Sequence, residues 1–396
     1  MTTFVHNDLD VSAANVVASG QPLYPAVERT SAVAAIANHA NPSPASAEQR
    51  AAIFADPGFG KYFTDNVVRA VWTKADGWHQ AEIVSGSASA GGLGINALHY
   101  GQSIFEGLKA YRHADGGIYT FRPEANALRF QRSAHRLALP PVPTDLFIGS
   151  IEALVRQDQA WVPTDPDQSL YLRPLEFGSE DALGIRPSPH VTYVLLASPV
   201  GAYFPQGVKP VSVWLSDEYV RAAPGGTGEA KCAGNYASSL IAQAEASDNG
   251  CDQVVWIDAI ERKYIEEMGG MNMFFVYGSG SSARLLTPRL TGTLLPGVTR
   301  DSILTLARDL GYQAEEGTIT VEQWREGCAS GEITETFACG TAAVITPVGR
   351  VDSKNSGAWN IADGGSGDIT MKLRAALVDL QTGKAPDNHN WMHRIV

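Results

Sequence analysis

Lys231 is the residue whose setting offers most to chemistry. Small residues stand on both sides of it, P-G-G-T-G-E-A at 224–230 and C-A-G-N-Y at 232–236. Glycines let a backbone come close to a bulky ligand. A lysine in a tight, partly desolvated place can give up its proton and attack an aldehyde. Taken alone, the segment also describes an ordinary loop lysine. A second run, E-E-M-G-G-M-N-M-F-F at 266–275, sets a carboxylate ahead of a Gly pair and an apolar strand. A pyridine cofactor needs such an acid at its ring nitrogen, because a protonated ring is the better electron sink. A strand-edge glutamate beside a turn satisfies the same pattern.

Other segments could supply the remaining parts of such a site. L-L-P-G-V-T-R at 294–300 stands directly before a helical pattern. A Pro-Gly turn at a helix start offers free N–H groups and the positive end of the dipole to a phosphate; an ordinary cap by Thr299 is the alternative. F-A-C-G-T-A-A-V at 337–344 is a turn of small residues after a strand, with N–H donors and the Thr341 hydroxyl. In L-Y-L-R-P at 170–174, Tyr171 and Arg173 share one face of a strand. An arginine there can hold a substrate carboxylate by charge-assisted hydrogen bonds, or pair with any nearby acid. Arg129, in the helical run after F-R-P-E-A-N-A-L, suits a phosphate or simply a helix surface. H-Y-G-Q-S-I-F-E-G-L-K-A-Y-R at 99–112 combines aromatics with a glycine.

The elements that must position these residues are readable in outline. V-V-R-A-V-W-T and A-E-I-V alternate around an Asp76-Gly77 turn, and F-E-G-L-K-A-Y-R and G-I-Y-T-F-R flank Asp115-Gly116-Gly117; both read as hairpins. Helical spacing follows at 122–139 and again at 147–162. Strands are expected at 169–180 and 190–200. In the second half they are expected at 211–216, 253–258, 263–268, 272–278 and 317–321, and then in I-T-E-T-F-A-C-G-T-A-A-V-I-T-P-V-G. Helices are expected at 236–246, 301–310, 321–331 and near the C-terminus, with a loop at 352–366. Residues 1–50 read as an extension with one short helix near 31–38, 51–203 as a smaller domain, 204–215 as the connection and 216–396 as a larger domain. There are more strands than a βαβ alternation supplies, which predicts a mixed α+β fold.

Composition narrows the function. The formal net charge is −12 and no basic stripe is present, which argues against a nucleic-acid partner. No apolar run is long enough to cross a bilayer, and M-T-T-F-V-H-N-D-L-D-V does not read as a secretory signal. Cys232, Cys251, Cys328 and Cys339 are scattered without a C-x-x-C. No metal site or disulfide framework is therefore expected, and the reducing cytoplasm is the expected compartment. No G-x-G-x-x-G follows a strand, so a nucleotide-dependent dehydrogenase is set aside.

In their order, HYGQSIFEGLKAYR, YLRPLEFG, KCAGNYA, EEMGGMNMFF, LLPGVTRDS and GTAAVITPVG make the chain resemble the branched-chain aminotransferases among the fold type IV pyridoxal-phosphate enzymes. The resemblance spans roughly residues 55–390. It implies pyridoxal 5′-phosphate as cofactor, with Lys231 as the lysine that bonds it and later moves the substrate proton. It places Glu267, rather than Glu266, at the ring nitrogen and Tyr236 at the phenolic oxygen. Arg129, Val298, Thr299 and Thr341 become the phosphate grip, and Tyr171, Arg173 and the Thr341–Ala342 backbone the carboxylate site. Phe63, Tyr100, Phe105, Ile185 and Tyr203 become the apolar walls. Tyr100 and Ile185 equivalents enter the neighbouring subunit's site, which implies a homodimer. The implied reaction moves the amino group of L-leucine, L-isoleucine or L-valine to 2-oxoglutarate by a ping-pong route. Two departures stand out. The redox C-x-x-C that mammalian members carry after the Gly-Thr-Ala turn is missing, and Gly270 stands where the family often has threonine. D-amino-acid aminotransferases and aminodeoxychorismate lyases share the lysine, the acid and the phosphate grip, but not the Tyr171/Arg173 pair. A binding protein that kept the fold without the cofactor is the alternative from another class.

Overall fold

Alternating strands and two tight turns build the first sheet. The computed structural model describes residues 23–24, 36–86, 92–165, 167–201 and 207–396, and these fall into two units. One takes residues up to 203 together with 230–233 and 381–396; the other takes 204–229 and 234–380. The strands of the first are β1 (Ala37–His39), β2 (Asn66–Thr73), β3 (Gly77–Ser85), β4 (Ser103–Phe105), β5 (Leu108–Arg112), β6 (Ile118–Phe121), β7 (Ser169–Gly178) and β8 (His190–Val200). They run in the order β1-β3-β2-β8-β7-β5-β6, with Met392–Arg394 on the far side of β6 and β4 on β7. Gly77 and Gly116 take φ of 67° and 82° in the two hairpin turns, a conformation that a side chain would disfavour. The helices Pro123–Arg136 and Thr144–Gln157 press Phe130, Phe147 and Ile151 onto Leu170, Leu172, Tyr193 and Leu195 of the sheet. Alternation along β7 sends Leu170, Leu172 and Glu176 to that core and Tyr171 and Arg173 to the opposite face.

The second unit holds β9 (Val211–Leu215), β10 (Gln253–Ile257), β11 (Ile265–Met268), β12 (Met271–Tyr277), β13 (Arg284–Pro288), β14 (Gln313–Gly317), β15 (Ile333–Gly340), β16 (Val344–Ser353) and β17 (Gly357–Asn360). Their order is β11-β10-β9-β16-β15-β12-β13-β14, and β11 also pairs with β12. That extra pairing closes the first six strands of the series into a ring. Val213, Leu215, Val255, Met268, Met273, Phe275, Ala338 and Val351 fill one core. The mixed α+β plan therefore holds, with a closed barrel in the second unit.

Several expectations needed correction. The helix expected at 236–246 is two, Ala233–Ala237 and Leu240–Asp248. Ser238 and Ser239 donate their hydroxyls to the carbonyls of Asn235 and Tyr236, a local competition that interrupts helices. G-T-I-T-V is not a strand: the polar stretch Gln313–Gly317 pairs with β13 instead. Thr320 caps the following helix through a capping box with Gln323, so tertiary pairing and capping override β-propensity. Strand β13 was not foreseen. The 352–366 loop contains β17, and the long strand from 333 is two antiparallel strands around the turn at 341–343. Residues 381–396, expected in the second domain, belong with the first sheet through Met392–Arg394. The extension also proves structured near its end, with strand Ala37–His39 and helix Ala47–Ala55. The short helix expected near 31–38 falls mostly outside the described residues, and its last two positions are strand.

Candidate active site

The residues with chemistry to offer form two sets, one in each unit. In the first, the chain between Ala230 and Ala233 lies against β4, and Cys232 forms a bridge with Ile104. The Lys231 carbonyl accepts the Phe105 N–H at 3.0 Å, and the Lys231 N–H donates to Ser133 Oγ at 2.9 Å. Its Nζ stands 5.0 Å from the centre of the Phe105 ring. The Arg173 guanidinium stands 4.5 Å from the same ring and donates to Tyr171 Oη at 3.0 Å. Arg173 Nε is buried and has no hydrogen-bond partner among the described residues. Glycine is needed at 107, because a Cβ there would fall 2.1 Å from Tyr171 Oη. Lys231, Phe105, Tyr171 and Arg173 are thus brought together.

Arg129 is buried rather than on a helix surface. It makes two parallel bonds to Glu106, Nε to Oε1 at 2.6 Å and Nη2 to Oε2 at 2.8 Å, with the side chains 4% and 0% exposed. Such a pair fixes the plane of the guanidinium.

In the second unit, Glu267 is 1% exposed on β11. Its Oε1 accepts the Leu295 N–H at 2.7 Å and Asn272 Nδ2 at 3.1 Å, and its Oε2 lies 3.0 Å from Arg221 Nε. Two donors and a buried cation favour the charged carboxylate. Glu266, on the other side of the strand, accepts the Thr293 hydroxyl, while burial pushes its carboxyl up. The Leu295 bond ties the Pro296–Gly297 turn to Glu267. The following helix, Val298–Asp309, starts without a side-chain cap, and Val298 and Thr299 are buried, so Thr299 lies inside the first turn rather than capping it. Buried, uncapped N–H groups at a helix start suit an anion. A Cβ at Gly297 would strike Asn272 Oδ1 at 2.1 Å, which explains the glycine.

Tyr236 packs close to Gly270, where a Cβ would sit 3.3 Å from its ring; a threonine at 270 would press on that ring. Asn235 holds the P-G-G-T-G run in place by a pair of bonds with Thr227, 2.7 and 2.8 Å long. Thr341 and Ala342 form the turn after β15, two residues beyond Cys339, whose register partner Asn272 is in turn paired with Glu267. Burial pushes the Cys339 thiol up, which makes it a poor redox sensor.

The apolar walls are only partly assembled. Tyr100 and Ile185 are exposed, Ile185 at 86%, and the Tyr100 hydroxyl donates to the Leu183 carbonyl. Phe63 is also exposed, and Tyr203 lies outside the described residues. Sequence reasoning missed Arg221, Asn272, Glu106 and Ser133. Arg221 stands in the same Gly/Pro-rich run as Lys231, and Glu106 inside F-E-G-L-K-A-Y-R, so both had a positional signal; Ser133 had none.

Residues 103–351, more than half the chain, match the family described as amino-transferase class IV. A branched-chain-amino-acid aminotransferase of Mycolicibacterium smegmatis is 57% identical over 357 residues, 90% of this chain and 97% of that protein. The chain belongs to the branched-chain-amino-acid aminotransferases. A branched-chain-amino-acid transaminase of Bacillus subtilis is 42% identical over 84% of this chain and 93% of its own length. Among solved structures, the Escherichia coli branched-chain aminotransferase superposes with a TM-score of 0.68 at 29% identity, over 83% of this chain and 99% of that one. A further branched-chain aminotransferase, solved with pyridoxamine 5′-phosphate, gives 0.67 at 29% identity, over 83% and 98%.

Proposed function

We propose that this aminotransferase moves the amino group of L-leucine, L-isoleucine or L-valine to 2-oxoglutarate with pyridoxal 5′-phosphate, in two half-reactions of ping-pong form. The observation that carries the proposal is the Phe105 ring, with the Lys231 amine at 5.0 Å and the Arg173 guanidinium at 4.5 Å. An α-amino acid needs both an amine-handling group and a carboxylate grip, and one ring carries the two here. The residues present fit the cofactor: Glu267 is a buried carboxylate beside Arg221 that suits a ring nitrogen, and the uncapped start of Val298–Asp309 suits its phosphate.

When bound, pyridoxal phosphate supplies an aldehyde and an electron-withdrawing ring that loosens the substrate Cα–H. Lys231 would be the amine that holds this aldehyde, and as a base it would take and return the proton at the substrate Cα. Glu267, with Arg221 at 3.0 Å, would be the acid facing the ring nitrogen. The N–H groups of Val298 and Thr299, with Thr341 and Arg129, hold the phosphate, and Tyr236 donates to the phenolic oxygen. Arg173, through its unpartnered Nε, and Tyr171 grip a carboxylate with the Thr341–Ala342 backbone. Arg173 also accommodates the second carboxylate of glutamate. Phe105, Phe63, Tyr100, Ile185 and Tyr203 form the apolar walls.

The exposed apolar side chains Leu98, Tyr100, Leu183 and Ile185 support a homodimer that covers them, with Tyr100 and Ile185 entering the partner's site. Four free cysteines are in keeping with a cytoplasmic enzyme. No described helix is long and apolar enough to cross a membrane. Steady-state transamination of L-leucine, L-isoleucine, L-valine and D-alanine with 2-oxoglutarate tests the substrate reading. Turnover of the three branched L-amino acids is expected. Turnover of D-alanine without L-leucine would overturn it.

A further inference from the structure

A closed ring of contacts in the first unit joins two residues that no part of the reaction uses to two that it does. The Lys231 N–H donates to Ser133 Oγ at 2.9 Å, and the Ser133 hydroxyl donates to the Arg129 carbonyl at 3.0 Å, one helical turn back. The Arg129 guanidinium makes its two bonds to Glu106 at 2.6 and 2.8 Å. Glu106 is covalently next to Phe105, and the Phe105 N–H returns to the Lys231 carbonyl at 3.0 Å. Ser133 and Glu106 are both 0% exposed. A buried charge pair is weak evidence for stability, since desolvation offsets most of the attraction. What it does supply is a fixed orientation. Ser133, by satisfying the N–H of Lys231 from a rigid helix, removes the freedom of the backbone that carries the reactive amine.

We infer that Ser133 and Glu106 are positioning residues: Ser133 for the Lys231 amine, and Glu106 for the Arg129 guanidinium. This rests on the proposed cofactor roles of Lys231 and Arg129. The two residues act on different quantities. Loosening Lys231 slows proton movement at Cα, because a misplacement on the order of 1 Å costs up to about 10²-fold in rate. Loosening Arg129 weakens the hold on phosphate and leaves chemistry intact once the cofactor is saturating.

The test uses the full-length enzyme loaded with pyridoxal 5′-phosphate, with steady-state kinetics on L-leucine and equilibrium dialysis of the cofactor. For Ser133→Ala, kcat is expected to fall roughly tenfold with the KM for L-leucine unchanged, and Ser133→Thr, which keeps the oxygen, to recover most of it. For Glu106→Gln, the cofactor dissociation constant is expected to rise roughly tenfold, with kcat at saturating cofactor within about twofold of the wild type. Wild-type kcat in Ser133→Ala, or wild-type cofactor affinity in Glu106→Gln, overturns the inference. Should Ser133→Ala not fold, Ser133→Cys, of similar size but a weak acceptor, is judged by the same criteria. Should Glu106→Gln not fold, Glu106→Asp, whose shorter arm cannot keep both bonds, replaces it. A wild type that takes up no pyridoxal phosphate sinks the cofactor reading itself, whereas a wild type that loads beside unaltered variants sinks only the positioning roles.

Discussion

The two units hold their reactive residues in opposite ways. In the first, Lys231 is fixed through its backbone, by Ser133 and Phe105, while its side chain rests against an aromatic ring. In the second, Glu267 is fixed through its side chain, by Leu295, Asn272 and Arg221, and is almost fully buried. The difference follows from the work proposed for each. The amine must change its bonds during every turnover, so only its base can be anchored. The carboxylate must stay charged and still, so its charge is enclosed by donors. A moving group and a fixed field demand different supports, even when both serve one reaction.

The largest effect is expected at Glu267. Glu267→Gln removes the charge but keeps the shape, and kcat for L-leucine is expected to fall about 10²- to 10³-fold. The change also leaves Arg221 buried without its partner, which is expected to lower stability by about 3–5 kcal/mol. Denaturant titration beside the kinetics separates the two. If kcat drops only in step with the unfolded fraction, the fixed-charge role fails.

Arg173 probes the other side. Arg173→Gln is expected to raise KM for both L-leucine and 2-oxoglutarate by roughly 30-fold, the size of a lost charge-assisted carboxylate contact of about 2 kcal/mol. Initial rates over both substrates check this. An effect on 2-oxoglutarate alone would assign Arg173 to the second carboxylate only.

Glu176 is a buried carboxylate of the opposite kind to Glu267. Glu176 is fully buried on the core face of β7, beside its register partners Ile104 and Tyr193. Neither oxygen has a hydrogen-bond partner among the described residues, and burial raises its carboxyl well above the ordinary value. The folded state therefore keeps this proton when the unfolded chain has lost it. Stability falls as pH rises above the ordinary carboxylate range, and goes on falling until the folded group ionises. Glu176→Leu is expected to stabilise the protein at neutral pH by about 1–3 kcal/mol, with a smaller gain near pH 4. Urea midpoints at the two pH values measure it. A gain independent of pH would show that the carboxyl is not what costs stability.

Legibility in the sequence tracked how local the determinant was. The hairpins at Asp76-Gly77 and Asp115-Gly117 were readable because a turn and its alternating flanks are local, and so were the helices 123–136 and 144–157. Strand Gln313–Gly317 was not, because a polar edge strand is chosen by its neighbour β13 and not by its own propensity. The strand Met392–Arg394 was missed for the same reason, since its partner β6 is more than 270 residues earlier. In the site, Lys231, Glu267, Tyr171 and Arg173 lay in runs with a recognisable pattern. Arg221, Ser133 and Glu106 bond to partners distant in sequence, and a single chain read alone does not reveal such pairs. Arg129 shows the limit from the other side: a helical arginine looks like surface until its buried partner is known.

Covalent attachment of the cofactor to Lys231 can be trapped chemically. Purified enzyme incubated with pyridoxal 5′-phosphate, reduced with borohydride, digested and mapped by mass spectrometry should carry a phosphopyridoxyl group on the peptide containing Lys231, and Lys231→Ala should carry none there and show no transamination. Label on a different lysine with Lys231 unmodified, or full activity in Lys231→Ala, would contradict the account.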